Sequence, residues 1–338
     1  MDSTRNGAGA LAVRLAKRLS ASLVWAIPLS MVAGFGAGLL FDLEPLKVLV
    51  LPLTMLMVYP MLVNVKMRDA FSLVDSRVVG VAMALNFLVL PLAAWILASV
   101  FFADDAGLFV GMVLAGLFPT SGMTISWTGF AKGNVGAAVK MTVVGLIAAS
   151  LLAPVYLKVL AGRVVPVDLL GVLGTVVLVV ALPLGAAQLT RVVLIKRHGN
   201  ERFATRIAPV FPGISVLGVL GIVFIAVGLK AEMINERPEL MLAIAVPVLL
   251  FYVANFALST LVGRALFARG DAIALVYGTV MRNLSIALGI AVTTFGPEAA
   301  LVLAAGYIVQ VQAAAWYVRL TDRVFGPAPR AGRSAADG

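Results

Sequence analysis

Two cations stand where the chain is otherwise apolar: Lys140, in A-A-V-K-M-T, and Arg282, in T-V-M-R-N-L-S. Arg282 stays protonated and presents a planar fork that fits a carboxylate or oxyanion. A buried lysine loses its proton more readily than a solvated one, so Lys140 is either a second counter-charge or a proton carrier. Around these cations lie short polar side chains in two clusters. One is Thr120, Ser121 and Thr124, following Pro119; the other is Asn283 and Ser285, with Thr142 close to Lys140. Hydroxyls, amides and a fixed positive charge bind and orient an anion; they do not cleave bonds.

Nucleophilic, metal and cofactor chemistry find no support in the same residues. There is no cysteine, which removes disulfides, thiolate metal sites and thiol nucleophiles together. The one histidine, His198, falls in the basic stretch I-K-R-H-G-N, read as a solvated loop. No carboxylate pair, histidine cluster or Ser–His pairing lies in the apolar stretches. Gly7-Ala-Gly9 mimics a dinucleotide loop, but no strand precedes it. The expectation is a protein without enzymatic activity, bound metal or cofactor.

The elements that must position these residues follow from composition. Of 338 residues 62% are hydrophobic and 12% charged, with mean hydropathy +1.05. Soluble domains are nearer 45–50% apolar and about 25% charged. A chain this apolar belongs in a lipid bilayer. A helix that crosses needs about 20 apolar residues, and ten such runs occur: 22–41, 46–65, 78–102, 107–130, 135–157, 167–189, 206–228, 239–263, 271–294 and 298–318. The expected fold is an all-α polytopic membrane protein. A tail 1–21 precedes a transmembrane domain 22–318, and a tail 319–338 follows it. The first span is too long for a cleaved signal sequence, so it is expected to be retained.

The net charge of +10 could suggest nucleic acid, but its placement reports topology. With the N-terminus inside, nineteen of the Lys and Arg residues fall on cytoplasmic segments and five on outer loops. That bias predicts an inner-membrane protein of a prokaryote with both termini cytoplasmic, and no nucleic-acid partner. Lys140 and Arg282 are the two left over. Lys140 lies a turn or two from the cytoplasmic end of its span, so it either lines a site or snorkels to the surface. Arg282 is deeper.

The two halves echo each other. A-L-N-F-L-V-L-P-L around Asn86 in the third span matches V-A-N-F-A-L-S-T-L around Asn255 in the eighth. Likewise W-A-I-P-L-S at 25–30 matches V-A-L-P-L-G at 180–185. Copies five spans apart enter the membrane from opposite sides, an inverted five-plus-five repeat (22–160 and 167–318). In such repeats the site lies at the midplane between broken helices. The fourth span breaks at Phe118-Pro-Thr-Ser-Gly122. Its counterpart in the ninth holds Arg282, Asn283 and Ser285, with Gly122-Met-Thr-Ile-Ser126 aligning on Asn283-Leu-Ser-Ile-Ala287. Two kinks of this type either pack helices through their polar groups or form a site whose half-helix ends favour anions. Asn86, Asn255, Gln310 and Gln312 are further polar candidates, each equally suited to joining helices.

Leu117 to Thr142 resembles the fourth and fifth helices of the bile acid:sodium symporter family, including its A-K-G-N, and Met281-Arg-Asn283 is similar to that family's M-Q-N. Tyr59-Pro-Met-Leu-Val-Asn-Val-Lys66 and Trp127-Thr-Gly-Phe-Ala-Lys132 resemble motifs of the related arsenite efflux permeases. The resemblance implies a secondary transporter working by alternating access. Where the symporters hold sodium, it places Gly278 and Arg282 on a glutamate and a glutamine, Thr124 and Ile125 on a Ser-Asn pair, and Ala138 on a hydroxyl; only Thr142 keeps its type. Where the arsenite permeases carry a functional cysteine and glutamate, it places Thr120 and Ser285. At 4 Å two like charges repel by about 4 kcal/mol even at an effective dielectric of 20, so a sodium ion beside Arg282 is disfavoured. The expected function is sodium-independent movement of a small anion or anionic organic solute, with protons as a further candidate partner. The alternative is arsenite or metalloid efflux without the usual cysteine.

Overall fold

The computed structural model describes residues 23–64, 75–165, 168–236 and 238–327. The N-terminal tail, the loop cations Lys66 and Arg68, and the chain from 328 lie outside the described residues. Among those described there is no strand. In hydrocarbon every backbone polar group must be satisfied within the chain, which a helix does by itself.

Each of the ten apolar runs forms a helical element: α1 (Leu23–Leu40), α2 (Glu44–Val63), α3 (Ser76–Phe101), α4a (Ala106–Leu117) with α4b (Gly122–Phe130), α5 (Val135–Ala161), α6 (Leu170–His198), α7 (Asn200–Gly228), α8 (Glu239–Leu266), α9a (Arg269–Val280) with α9b (Leu284–Ile290), and α10 (Pro297–Phe325). Among the described residues eight stretches are long and apolar enough to cross a membrane, and the bent pair α4a–α4b makes a ninth. The apolar part of α1, Trp25–Leu40, is shorter. The protein is an all-α polytopic membrane protein.

Several boundaries differ from the sequence reading, two of them by about two turns. His198 is the last residue of α6, with Nδ1 3.3 Å from the Leu194 carbonyl. A basic last turn suits the negative end of a helix, so Lys196, Arg197 and His198 prolong α6 where a loop was expected. Helix α10 likewise continues past 318 to Phe325.

The prolines of α3 and α6 are accommodated by wide π turns. In α3 the turn covers Leu85–Val89, just before Pro91. Proline lacks a donor for the carbonyl four residues back. That carbonyl, on Phe87, accepts instead from the Tyr156 hydroxyl of α5. The same turn carries Asn86 into the interior, where it is fully buried. In α6 a π turn at Val177–Ala181 precedes Pro183 in the same way.

The helices pack in two groups. Helix α7 lies along α1 and α2, and α6 packs on α2. In the other group α10 packs on α4a and α8, α8 on α9a, α3 on α4a, and α5 on α4a, α4b and α9a. Helix α9 is buried throughout its most apolar stretch. The interrupted helices α4 and α9 cross at the centre of the second group, facing the first.

Candidate functional site

The fourth helix breaks for local reasons. Pro119 cannot continue a helix and pushes the residue before it out of helical geometry, and Phe118 is extended (φ −99°, ψ 94°). Thr120 follows in the left-handed region at φ 53°. Ser121 is extended, and α4b starts at Gly122, bent 58° from α4a.

The ninth helix breaks without proline or glycine in the gap, and its break is held by distant groups. The Arg282 N–H donates to Gln310 Oε1 at 2.7 Å, while Gln310 Nε2 donates to the Arg282 carbonyl at 3.3 Å. Tyr252 donates its hydroxyl to the same Gln310 Oε1 at 2.9 Å. The Asn283 N–H donates across the crossing to the Phe118 carbonyl at 2.8 Å. Asn283 then caps α9b, its Oδ1 accepting from Ile286 N–H at 3.3 Å. The crossing is therefore a pair of breaks bonded to one another.

The Arg282 side chain is fully buried. Its Nε donates to the Ala115 carbonyl at 3.2 Å, Nη2 to that of Gly116, and Nη1 to Asn86 Oδ1 and to the Thr279 carbonyl at 3.3 Å. Ala115 and Gly116 belong to the last turn of α4a, and Thr279 to the last turn of α9a. Those carbonyls have no partner within their own helices and carry the negative end of the helix dipole. A single guanidinium thus satisfies the C-terminal ends of both broken helices. Asn86 Nδ2 donates to the Gly278 carbonyl at 2.9 Å and Asn255 Nδ2 to that of Thr279 at 3.0 Å. The two asparagines matched in the sequence halves therefore converge on neighbouring carbonyls of α9a.

Between the two helix groups, beside the crossing, lies a small, partly open cavity of about 20 Å³, room for about one water molecule. Val58, Met61 and Leu62 of α2 form one wall, and Gly122, Thr142, Leu146, Asn283, Ser285 and Ile286 the other. Thr142, Asn283 and Ser285 thus come together, at the start of α9b and next to the start of α4b. Among the described residues no lining side chain is charged. The Ser285 hydroxyl is bonded to that of Tyr307; Thr142 donates back to Ala138 at 2.8 Å.

The other expected site residues lie outside this lining. Thr120 and Thr124 are buried within the α4 break: the Thr120 hydroxyl bonds the Pro119 carbonyl at 2.8 Å, and Thr124 Oγ1 accepts from Ser121 N–H at 3.1 Å. The Ser121 hydroxyl is buried without a hydrogen-bond partner among the described residues. Lys140, 7% exposed, is paired with Asp75 Oδ2 at 3.3 Å. Asn134 bridges that carboxylate to Asp271 by Nδ2 at 2.9 and 2.7 Å, joining the starts of α3, α5 and α9a. Gln312 is half-buried, and two residues along α10 from Gln310 means about 200° around the helix. Tyr252 and Tyr307 were not expected at the site. The signal for Tyr307 was its spacing: it stands three residues before Gln310, on the same face of α10.

An all-helical membrane bundle with two interrupted helices bonded at its centre, and a cavity at their crossing, has the build of a secondary transporter. Residues 51–237 match the sodium bile acid symporter family, and the chain belongs to it. It is similar to YbaS of Bacillus subtilis, 27% identical over 237 residues that cover 69% of this chain and 75% of that protein. The arsenical-resistance protein Acr3 of Corynebacterium glutamicum is 22% identical over 264 residues, 74% of this chain and 71% of its own. A probable chloroplast sodium/metabolite cotransporter of Oryza sativa, BASS2, is 30% identical over 180 residues, 53% of this chain and 41% of its own.

Proposed function

We propose that this protein moves a small anion or anionic organic solute across the inner membrane by alternating access, without sodium. The observation that carries the reading is the Arg282 guanidinium among the carbonyls of the α4–α9 crossing. A permanently attached cation neutralises the negative half-helix ends there and repels a second cation nearby. The position of Gly278 supports the same reading. A side chain at 278 would begin 2.3 Å from Met141 Sδ, so a carboxylate there would require the flexible Met141 side chain to swing aside. With those ends neutralised, the starts of α4b and α9b leave a net positive potential at the cavity. Asn283, Ser285 and Thr142 would orient the solute, and the apolar α2 wall would take its body. In this reading Arg282 supports the substrate's charge through the crossing. The five-plus-five inverted repeat, with both termini cytoplasmic, is part of the proposal.

One observation favours a second reading. Among the described residues the cavity lining holds hydroxyls and an amide with no charged side chain, which also suits a neutral polyhydroxyl solute such as arsenite leaving the cell. Thermal melting of the purified protein against small carboxylates, arsenate, arsenite and bile acids, in sodium and in potassium, separates the two. Ligand at about 100 times its Kd stabilises by about 2.7 kcal/mol. Stabilisation by an anion, equal in both salts, is the expected result. Stabilisation by arsenite alone selects the second reading, and a sodium requirement overturns the role given to Arg282.

A further inference from the structure

Ion pairs at the two ends of the bundle differ among the described residues. The ion pairs Lys140–Asp75 and Arg269–Asp322 lie at the end of the bundle where α9a begins, and each stays within the second group. At the opposite end, Lys230 Nζ, just past α7, meets Glu298 Oε1 of α10 at 2.5 Å. That pair crosses from the first group to the second. It also involves a third element, because Glu298 lies over Gly107 at the start of α4a. A Cβ at 107 would stand 2.7 Å from Glu298 Cβ and 2.9 Å from its Oε2. Gly107 therefore leaves room for the carboxylate to reach Lys230.

The cavity is placed to the other side of the midplane. Met61 and Leu62 are in the last turn of α2, and Thr142 is in the first third of α5. Both lie nearer the end where Lys140 and Arg269 sit. One end of the boundary between the groups thus carries a cavity, and the other carries a cross-group ion pair seated on a glycine.

We infer that Lys230 and Glu298 form a latch that closes the end of the transport pathway opposite the cavity, and that opening it is the step which exposes the site to that side. The inference rests on the alternating-access reading. Its strength suits the task. The pair is partly exposed, with side chains 22% and 30% accessible, and ion pairs of this kind shift an equilibrium by roughly two- to five-fold. A latch must hold one state without making the other unreachable, and a bias of that size does so.

The test needs no substrate. The chain has no cysteine, so Met61→Cys supplies the single thiol, reported by a membrane-impermeant maleimide applied to intact cells and to inside-out vesicles. The parent should label from one face and little from the other. Lys230→Gln, Glu298→Gln and Gly107→Ala should each raise labelling from the protected face about two- to five-fold. The exchanged pair Lys230→Glu with Glu298→Lys should return it towards the parent. High salt on the parent should act like the neutral variants, because it screens a partly exposed pair. One-sided labelling that none of the variants nor salt alters, in protein that stays monodisperse, overturns the latch alone. Equal labelling of the parent from both faces overturns alternating access and the latch with it.

Discussion

The breaks in α4 and α9, which the sequence comparison of the two halves pairs with each other, are built differently. In α9 the backbone of Arg282 is held on both sides by Gln310, and its side chain bonds two half-helix ends. In α4 the residue at the corresponding place, Ser121, buries a hydroxyl without a partner among the described residues. The α9 break is held open by tertiary bonds. The α4 break is made by proline and closed locally, with Ser121 and Thr124 forming a capping box at the start of α4b. The difference teaches that one break is fixed by groups far away in sequence and the other by its own neighbours.

The largest expected effect comes from removing the fixed element. Arg282→Gln leaves buried carbonyls at Ala115, Gly116 and Thr279 with fewer donors, at about 1–3 kcal/mol for each group left unsatisfied. The melting temperature should fall sharply, and Arg282→Lys should recover part of the loss. Unchanged melting with lost ligand response would place the charge directly on the solute and end the comparison.

A smaller effect is expected from Gln310→Leu, which takes away the partners of the Arg282 N–H, the Arg282 carbonyl and the Tyr252 hydroxyl. A loss of about 2–3 kcal/mol in thermal or denaturant unfolding is predicted, with Tyr252→Phe partly relieving it in the double variant. Additive losses would show that the tyrosine does not share the clamp.

The smallest effect should come from Ser121→Ala. Ser121 stands at the N-cap of α4b in a capping box with Thr124, yet its hydroxyl makes no bond of its own among the described residues, so the loss should stay below about 1 kcal/mol. A loss above 1 kcal/mol would mean that the α4 break is bonded as firmly as the α9 break, and the contrast would fail.

How much of this was legible depended on the range of the interaction. The α4 break could be read because Pro119 and Gly122 act on their own neighbours. The α9 break could be located only by matching the halves, since its cause, Gln310, lies 28 residues away in sequence. Asn86 and Asn255 were recognisable as buried polar groups, and their convergence on Gly278 and Thr279 was not. Lys140 was read as lining a site or snorkelling; its partner, Asp75, is 65 residues earlier.

By itself the sequence determined that the chain is helical and membrane-embedded and placed its ten apolar runs, because hydropathy and the rise of a helix are local properties. It also singled out Arg282, because a cation in an apolar stretch is costly anywhere in a bilayer. Only the tertiary structure decided which way that cation turns. Ala115 and Gly116, 167 and 166 residues away, expose their carbonyls at a helix end made by a proline in another span. A charge goes to the acceptors that folding brings within hydrogen-bond reach, and no spacing along one helix records where those acceptors will be.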